Sequence, residues 1–384
     1  MKNNQSGELV VIGMKGCERF TEQVDNYLKD WRRRGNGEDK SFTIIADCPR
    51  FGSGEGKGIL HDSMRGKDVY IICDVFNYGV TYKMYGSVVP MSPDDHYADL
   101  KRIIAAIGGK ARRITVIMPM LYEGRQHKRS GRESLDCALM LQELVSMGVS
   151  NILTFDAHDS RISNAIPLSG FDNVQPTYQM IKAMVRAIPD VQIDKDHMAI
   201  ISPDEGAMSR CMYYSSVLGL DIGMFYKRRN YSIVVNGRNP IEAHEYLGQD
   251  LHGKDAVVVD DMISSGESML DVCKQLKEKG ANRVFCFATF GLFTDGFEKF
   301  DQCFKEGVFD RVFTTNLIYR RPELLRKPWF VEVNMCKYVA YLVDTLNNDA
   351  TISSLLNPVK RIQSLMDKHR SELAAQMKIT FEEE

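Results

Sequence analysis

Apolar runs of strand length recur along this chain at residues 9–12, 42–45, 69–73, 114–118, 152–155, 198–201, 222–225, 256–259, 284–288 and 312–314, and they are rich in Val and Ile. Between them lie amphipathic stretches with helix-favouring composition. Unbroken apolar runs predict strands buried on both faces, and their alternation with helices predicts βαβ units and parallel sheets. Two linkages look alike. Gly148-Val149-Ser150-Asn151-Ile152 and Gly280-Ala281-Asn282-Arg283-Val284 each place glycine where a helix closes and then enter a buried strand. A duplicated α/β unit with a boundary near 173–176 is the resulting expectation.

Length agrees with that reading, since 384 residues divided by about 150 per domain gives about 2.6. The predicted layout is an N-terminal α/β domain over 1–173, a C-terminal α/β domain over 174–345, and a helical extension over 346–384, within which 359–376 reads as an amphipathic, charge-rich helix. The 49 basic and 51 acidic residues leave a formal net charge of −2, with 44% hydrophobic and 26% charged residues. Such a balance excludes a disordered chain, a collagen-like chain and a strongly basic nucleic-acid coat. Nine cysteines are scattered singly, so neither a disulfide framework nor a zinc site is expected. Residues 1–8 lack the apolar core of a signal peptide, and no apolar run is long enough to span a bilayer. The expectation is a cytoplasmic protein with neither nucleic acid nor membrane as partner.

The strongest local signal is Ala256-Val257-Val258-Val259-Asp260-Asp261-Met262-Ile263-Ser264-Ser265-Gly266-Glu267-Ser268, followed by an amphipathic stretch. A buried strand carries two carboxylates to its C-terminal edge, where open α/β sheets bind ligands. The hydroxyl-rich loop can then turn backbone N–H groups toward a phosphate at a helix N-terminus. Ser268 and Asp271 also have capping-box spacing, which is a purely structural explanation for that pair.

This unit resembles the phosphoribosyl diphosphate (PRPP) loop of type I phosphoribosyltransferases and of PRPP synthases. The resemblance implies that Asp260 and Asp261 hold ribose hydroxyls while Ser264, Ser265, Gly266, Glu267 and Ser268 surround the 5-phosphate. Two departures stand out: Glu267 where the family usually has glycine, and Ser264 where the synthases usually have aspartate. A carboxylate beside a bound phosphate repels it unless it points outward.

Further motifs are similar to PRPP synthases in particular. Arg125-Gln126 follows one strand run, Asp156-Ala157-His158 the next, and Asp172-Asn173 comes later. Arg125 is a permanent planar cation suited to phosphate oxygens, Gln126 can hydrogen-bond a nucleotide, and His158 could ligate a divalent cation or simply hydrogen-bond at a strand edge. Ser202-Pro203-Asp204-Glu205-Gly206 is similar to a segment whose aspartate serves the metal and phosphates, although Asp204 could equally cap a helix. Lys227-Arg228-Arg229 reads as a solvated basic corner or, by resemblance, as the catalytic Lys227 and Arg229 of a flap. Arg50-Phe51-Gly52-Ser53-Gly54-Glu55 lies where the family has a loop reaching the adenine of a neighbouring subunit, which implies Phe51, Ser53 and Glu55 as ATP contacts and a homo-oligomer, ring-like and hexameric in the family. Lys128, Arg129, Ser130 and Arg132 are candidates for an anion site at which inorganic phosphate would act as activator, or form a solvated basic loop.

The resemblance covers roughly 42–345 and implies two phosphoribosyltransferase-like domains, Mg2+ as cofactor, and ATP and ribose 5-phosphate as substrates. It implies diphosphoryl transfer giving PRPP and AMP. A regulatory synthase-like subunit without turnover and a PRPP-consuming transferase remain the alternatives.

Overall fold

The computed structural model describes residues 7–34, 40–129, 131–229 and 241–382, without the side chains of 227–229, 241–244 and 376–382. It divides into two units. One holds residues 1–176, 316–321 and 334–356, the other 177–315, 322–333 and 357–384. The chain thus revisits the first unit after building most of the second, and neither unit is contiguous in sequence.

In the first unit, strands β1 (Leu9–Gly13), β2 (Asp68–Ile72), β3 (Arg113–Ile117), β4 (Asn151–Phe155) and β5 (Gly170–Val174) form a parallel five-stranded sheet in that order. Val11, Val69, Val116 and Ile152 are fully buried in it, as expected where helices cover both faces. The 42–45 run is not a strand: it makes a bridge at Thr43 and scattered backbone hydrogen bonds, Val11 N–H to Phe42 O, Ile44 N–H to Val11 O and His61 N–H to Ile45 O. β5 escapes an apolar-run search because it is an edge strand carrying Asp172 and Asn173. Its polar side chains have local work: Asn151 Nδ2 donates to Asp172 Oδ2 at 2.8 Å, and Ala157 N–H to Asn173 Oδ1 at 3.0 Å. Helix Cys336–Asn347 belongs to this unit and packs on helix Glu18–Arg34, with Trp31 stacked on Tyr341 at 4.3 Å and Arg32 paired with Asp344 at 2.9 Å.

The second unit has seven strands: β6 (Met198–Ser202), β7 (Asp221–Arg229), β8 (Ile241–Leu247), β9 (Asp255–Ile263), β10 (Val284–Gly291), β11 (Arg311–Thr315) and β12 (Phe330–Val333), in the spatial order β8-β7-β6-β9-β10-β11-β12. All pairs are parallel except β7 with β8. The strand order reverses between β6 and β9. The two look-alike linkages close their helices identically: Gly148 and Gly280 have φ of 94° and 84°, and the next residues, Val149 and Ala281, donate back to Leu144 O and Leu276 O, each at 3.1 Å. Left-handed backbone there is what glycine permits.

Candidate functional site

The reversal of strand order is where an open α/β sheet leaves a crevice, and register explains how β9 reaches into it. β9 pairs with β6 only as far as Val258 opposite Ile201, yet stays paired with β10 to Ile263 opposite Gly291. Residues 259–263 therefore overhang the crevice with one edge uncovered. Asp260 and Asp261 stand on that overhang.

Asp260 keeps 27% of its side chain exposed, Asp261 is buried, and Asp261 N–H donates to Asp260 Oδ1 at 2.8 Å. Burial first, and then the charge of Asp261, push the Asp260 carboxyl well above its usual range, while Arg210 pulls the other way. The Arg210 guanidinium lies 3.9 Å from Asp260 across the mouth of the crevice. Nothing local in the sequence marks Arg210, since it sits on helix Met208–Leu218 after a different strand.

The loop after β9 turns at Gly266, whose φ of 86° is left-handed. An added Cβ would overlap the Phe300 ring, so both conformation and packing demand glycine. Gly266 is also the N-cap of helix Glu267–Glu278, with no side chain capping it. The capping-box explanation for Ser268 and Asp271 therefore fails, because the helix begins two residues too early for it. The first helical bond is Leu270 N–H to Gly266 O at 2.9 Å, so the amides of the first turn have no acceptor within the helix. Glu267 points to the side and pairs with Lys299. Ser264 is braced from behind, its carbonyl accepting from Thr294 N–H at 3.0 Å.

Asp204 follows β6, on the other flank of the crevice. Its Oδ1 accepts from Gly206 N–H at 2.9 Å and Ala207 N–H at 3.3 Å, which shapes the turn before the helix. Lys227 and Arg229 lie on β7, opposite His244 and Ile241, with a register irregularity before Arg229. Their side chains lie outside the described residues, as do residues 230–240.

In the first unit, Arg125 is exposed on the turn that follows β3, and Gln126 Nε2 donates to Ser134 O at 2.9 Å. The turn brings in a residue that sequence reading passed over. The His127 ring lies 5.3 Å from the His158 ring, edge to face, and its Nε2 is 3.4 Å from Asp159 Oδ2. Burial lowers the His127 pKa and Asp159 raises it in opposition. Asp159 itself is held well below the usual carboxylate range by hydrogen bonds from Arg161. His127 and Asp159 are chain neighbours of Gln126 and His158, which the sequence had already singled out. Ser130 lies outside the described residues.

Phe51 is 58% exposed on a loop closed by Phe51 N–H to Glu55 O at 2.7 Å, and Ser53 Oγ donates to Glu55 Oε2 at 2.7 Å. Arg50 anchors the loop from below, pairing with Asp99 at 2.9 Å and lying over the Tyr82 ring at 4.8 Å.

Residues 9–148 match the family model described as the N-terminal domain of ribose phosphate pyrophosphokinase, and residues 172–301 match the phosphoribosyl transferase domain. The chain belongs to the ribose-phosphate pyrophosphokinase family. It is 28% identical over 326 residues to ribose-phosphate pyrophosphokinase of Vibrio vulnificus (strain YJ016), covering 83% of this chain and 94% of the relative. It is 26% identical to ribose-phosphate pyrophosphokinase A of Dictyostelium discoideum over 82% of this chain and 90% of that one. The fold is similar to a phosphoribosylpyrophosphate synthetase from Mycobacterium smegmatis, with a TM-score of 0.71 at 20% identity, over 89% of this chain and 100% of the other. Membership of the pyrophosphokinase family accounts for two phosphoribosyltransferase-like sheets in one chain.

Among the described residues no three His, Cys, Asp or Glu side chains gather as a metal cage. Magnesium, which keeps several waters and is held through one or two protein groups together with substrate phosphates, does not require such a cage. No described helix is long and apolar enough to cross a membrane.

Proposed function

We propose that this chain is a ribose-phosphate diphosphokinase that moves the diphosphoryl group of Mg-ATP to the C1 hydroxyl of ribose 5-phosphate, giving PRPP and AMP. The observation that carries this reading is the overhang of Asp260 and Asp261 above a loop that leads into a helix start, in a chain whose other half matches the pyrophosphokinase N-terminal domain. A phosphoribosyltransferase needs only the first of these.

In this reading Asp260 and Asp261 accept the ribose hydroxyls. Ser264, Ser265, Gly266, Glu267 and Ser268 enclose the 5-phosphate, chiefly through backbone amides and the positive end of the helix. Glu267 contributes its N–H, and its carboxylate is neutralised by Lys299. Arg125 and Gln126 orient ATP. His158 and Asp204 would hold Mg2+, which neutralises phosphate charge when bound. The sugar oxygen forms a bond to the β-phosphorus as the bond to the AMP oxygen breaks, and the hydroxyl proton passes to solvent. Little covalent chemistry falls to the protein, so positioning and charge complementarity dominate. Lys227 and Arg229 serve the transition state, where cations that arrive late stabilise it more than the ground state.

Phe51, Ser53 and Glu55 contact ATP of a neighbouring subunit. Support for that homo-oligomer, a hexamer by family resemblance, comes from the exposed side chains of Phe51, Tyr85 and Val88, on a loop and hairpin joined by Tyr85 N–H to Gly52 O at 2.9 Å. Exposed apolar side chains gathered on adjoining segments are the kind of surface that interfaces use. Inorganic phosphate as activator and a cytoplasmic location, suited to nine free cysteines, belong to the same proposal.

One product analysis tests it. Purified protein with ATP, Mg2+ and ribose 5-phosphate should yield PRPP and AMP in equal amounts. Absence of AMP release, or consumption of PRPP with a nucleobase and no reaction with ATP, would replace this reading by one of the alternatives.

A further inference from the structure

Helix Val359–Glu382 packs along helix Thr177–Ala187 within the second unit. Ile362 and Met366 bury its inner face, and the buried His369 ring makes a 2.7 Å hydrogen bond to Val191 O. Beside this contact runs a groove of about 730 Å³ whose lining includes Lys182, Arg186, Lys360, Arg361 and Lys368. Glu372 is the one carboxylate in that lining, and it lies 3.6 Å from Lys368.

These cations are placed rather than scattered. Lys182 and Arg186 are one turn apart on their helix, while Lys360, Arg361 and Lys368 recur two turns apart on the other. Two of them converge on one ring: the Arg361 guanidinium stands 5.2 Å and the Lys182 ammonium 5.8 Å from the centre of Tyr178. Such contacts fix the positions of flexible side chains. Lys360 and Arg361 also occupy the first helical turn, which holds no acidic residue. Cations are unfavourable at that end of a helix dipole, and five like charges around one groove repel one another.

We propose that this groove is a binding site for a short chain of phosphates, carried by a nucleotide or free as inorganic oligophosphate. A groove of this size suits a small molecule. Arginine forks and lysine point charges match phosphate oxygens. A long nucleic-acid backbone fits less well, since the cations form a compact cluster and the whole chain has a net charge of −2. None of its lining residues is among those assigned to diphosphoryl transfer, and the site stands independently of that reading.

The test is calorimetric titration of the full chain with sodium tripolyphosphate and, separately, with ADP, counting equivalents bound per chain. The Arg186→Glu/Lys368→Glu variant, altered at two exposed positions, should lose one equivalent or bind it at least about tenfold more weakly, the effect of removing one charge-assisted contact or more. PRPP formation without added oligophosphate should be unchanged. Loss for both probes identifies the phosphate chain as what is recognised, and loss for ADP alone adds the nucleoside. Arg186→Gln/Lys368→Gln should weaken the same equivalent to a lesser degree, and serves if the reversal does not fold. Identical isotherms for wild type and variants, or binding of an oligoribonucleotide but neither probe, would overturn the proposal.

Discussion

Glu267, the first residue of the helix after the Asp260-Asp261 strand, turns sideways and pairs with Lys299 on helix Glu298–Lys305. The carboxylate that would repel a phosphate is thereby carried off the loop and neutralised. Both side chains are more than half exposed, so the pair adds little to stability. Lys299→Ala should leave the denaturation midpoint nearly unchanged and raise KM for ribose 5-phosphate, and Glu267→Gly should not. Equal KM values for Lys299→Ala and wild type would show that the carboxylate is harmless without its partner.

Gly266→Ala puts a Cβ into left-handed backbone and against the Phe300 ring. Strain of about 1–2 kcal/mol from the backbone joins about 1–3 kcal/mol from overpacking. Urea denaturation should show a loss in that combined range, together with loss of ribose 5-phosphate binding as the loop opens.

Arg50 and Phe51 are chain neighbours with separable tasks. The Arg50–Asp99 pair is buried, at 8% and 4% exposure, and Arg102 also reaches Asp99 at 2.6 Å. Removing Arg50 leaves Asp99 with Arg102 as partner, and Arg50→Met should cost about 2 kcal/mol, below the about 3–5 kcal/mol of breaking a buried pair outright, because that second cation remains. It should also raise KM for ATP. Phe51→Ala should raise KM for ATP with no change in thermal midpoint, measured by a melting curve and initial rates.

Asp74 gives the chain a pH dependence. Burial raises its carboxyl to about 6, against hydrogen bonds from Phe76 N–H and Tyr319 N–H. The folded chain therefore holds this proton at pH values where the unfolded chain has lost it. Its contribution to stability is complete below about pH 4, the unfolded value, and disappears as pH rises through about 6. Urea midpoints measured from pH 4 to 7 should fall less in Asp74→Asn than in wild type.

Lys227→Ala addresses chemistry directly. If Lys227 acts on the transferring group, kcat for PRPP formation should drop by more than about tenfold, or 1.36 kcal/mol in barrier. KM for ribose 5-phosphate should hardly move, whereas a ground-state binding role would raise it.

The Ala256-to-Val259 region illustrates what the amino-acid sequence could establish alone. A buried parallel strand must be apolar on both faces, so its pattern is written in consecutive residues, and two carboxylates at its end are visible for the same reason: Val257, Val258 and Val259 are buried, and Asp260 begins the polar edge. The same logic exposes the helix-closing Gly148 and Gly280, whose backbone conformation few other residues adopt. Edge strands such as β5 and β12 carry no comparable pattern, because one side of the strand need not be apolar. Tertiary structure decided the rest. Ending the β6 pairing at Val258 makes Asp260 overhang a crevice, and folding brings Arg210 to it, His127 to His158, and Lys299 to Glu267. Strand order, register and the approach of distant helices follow from burying surface shared among many residues, and no short window of sequence contains that information.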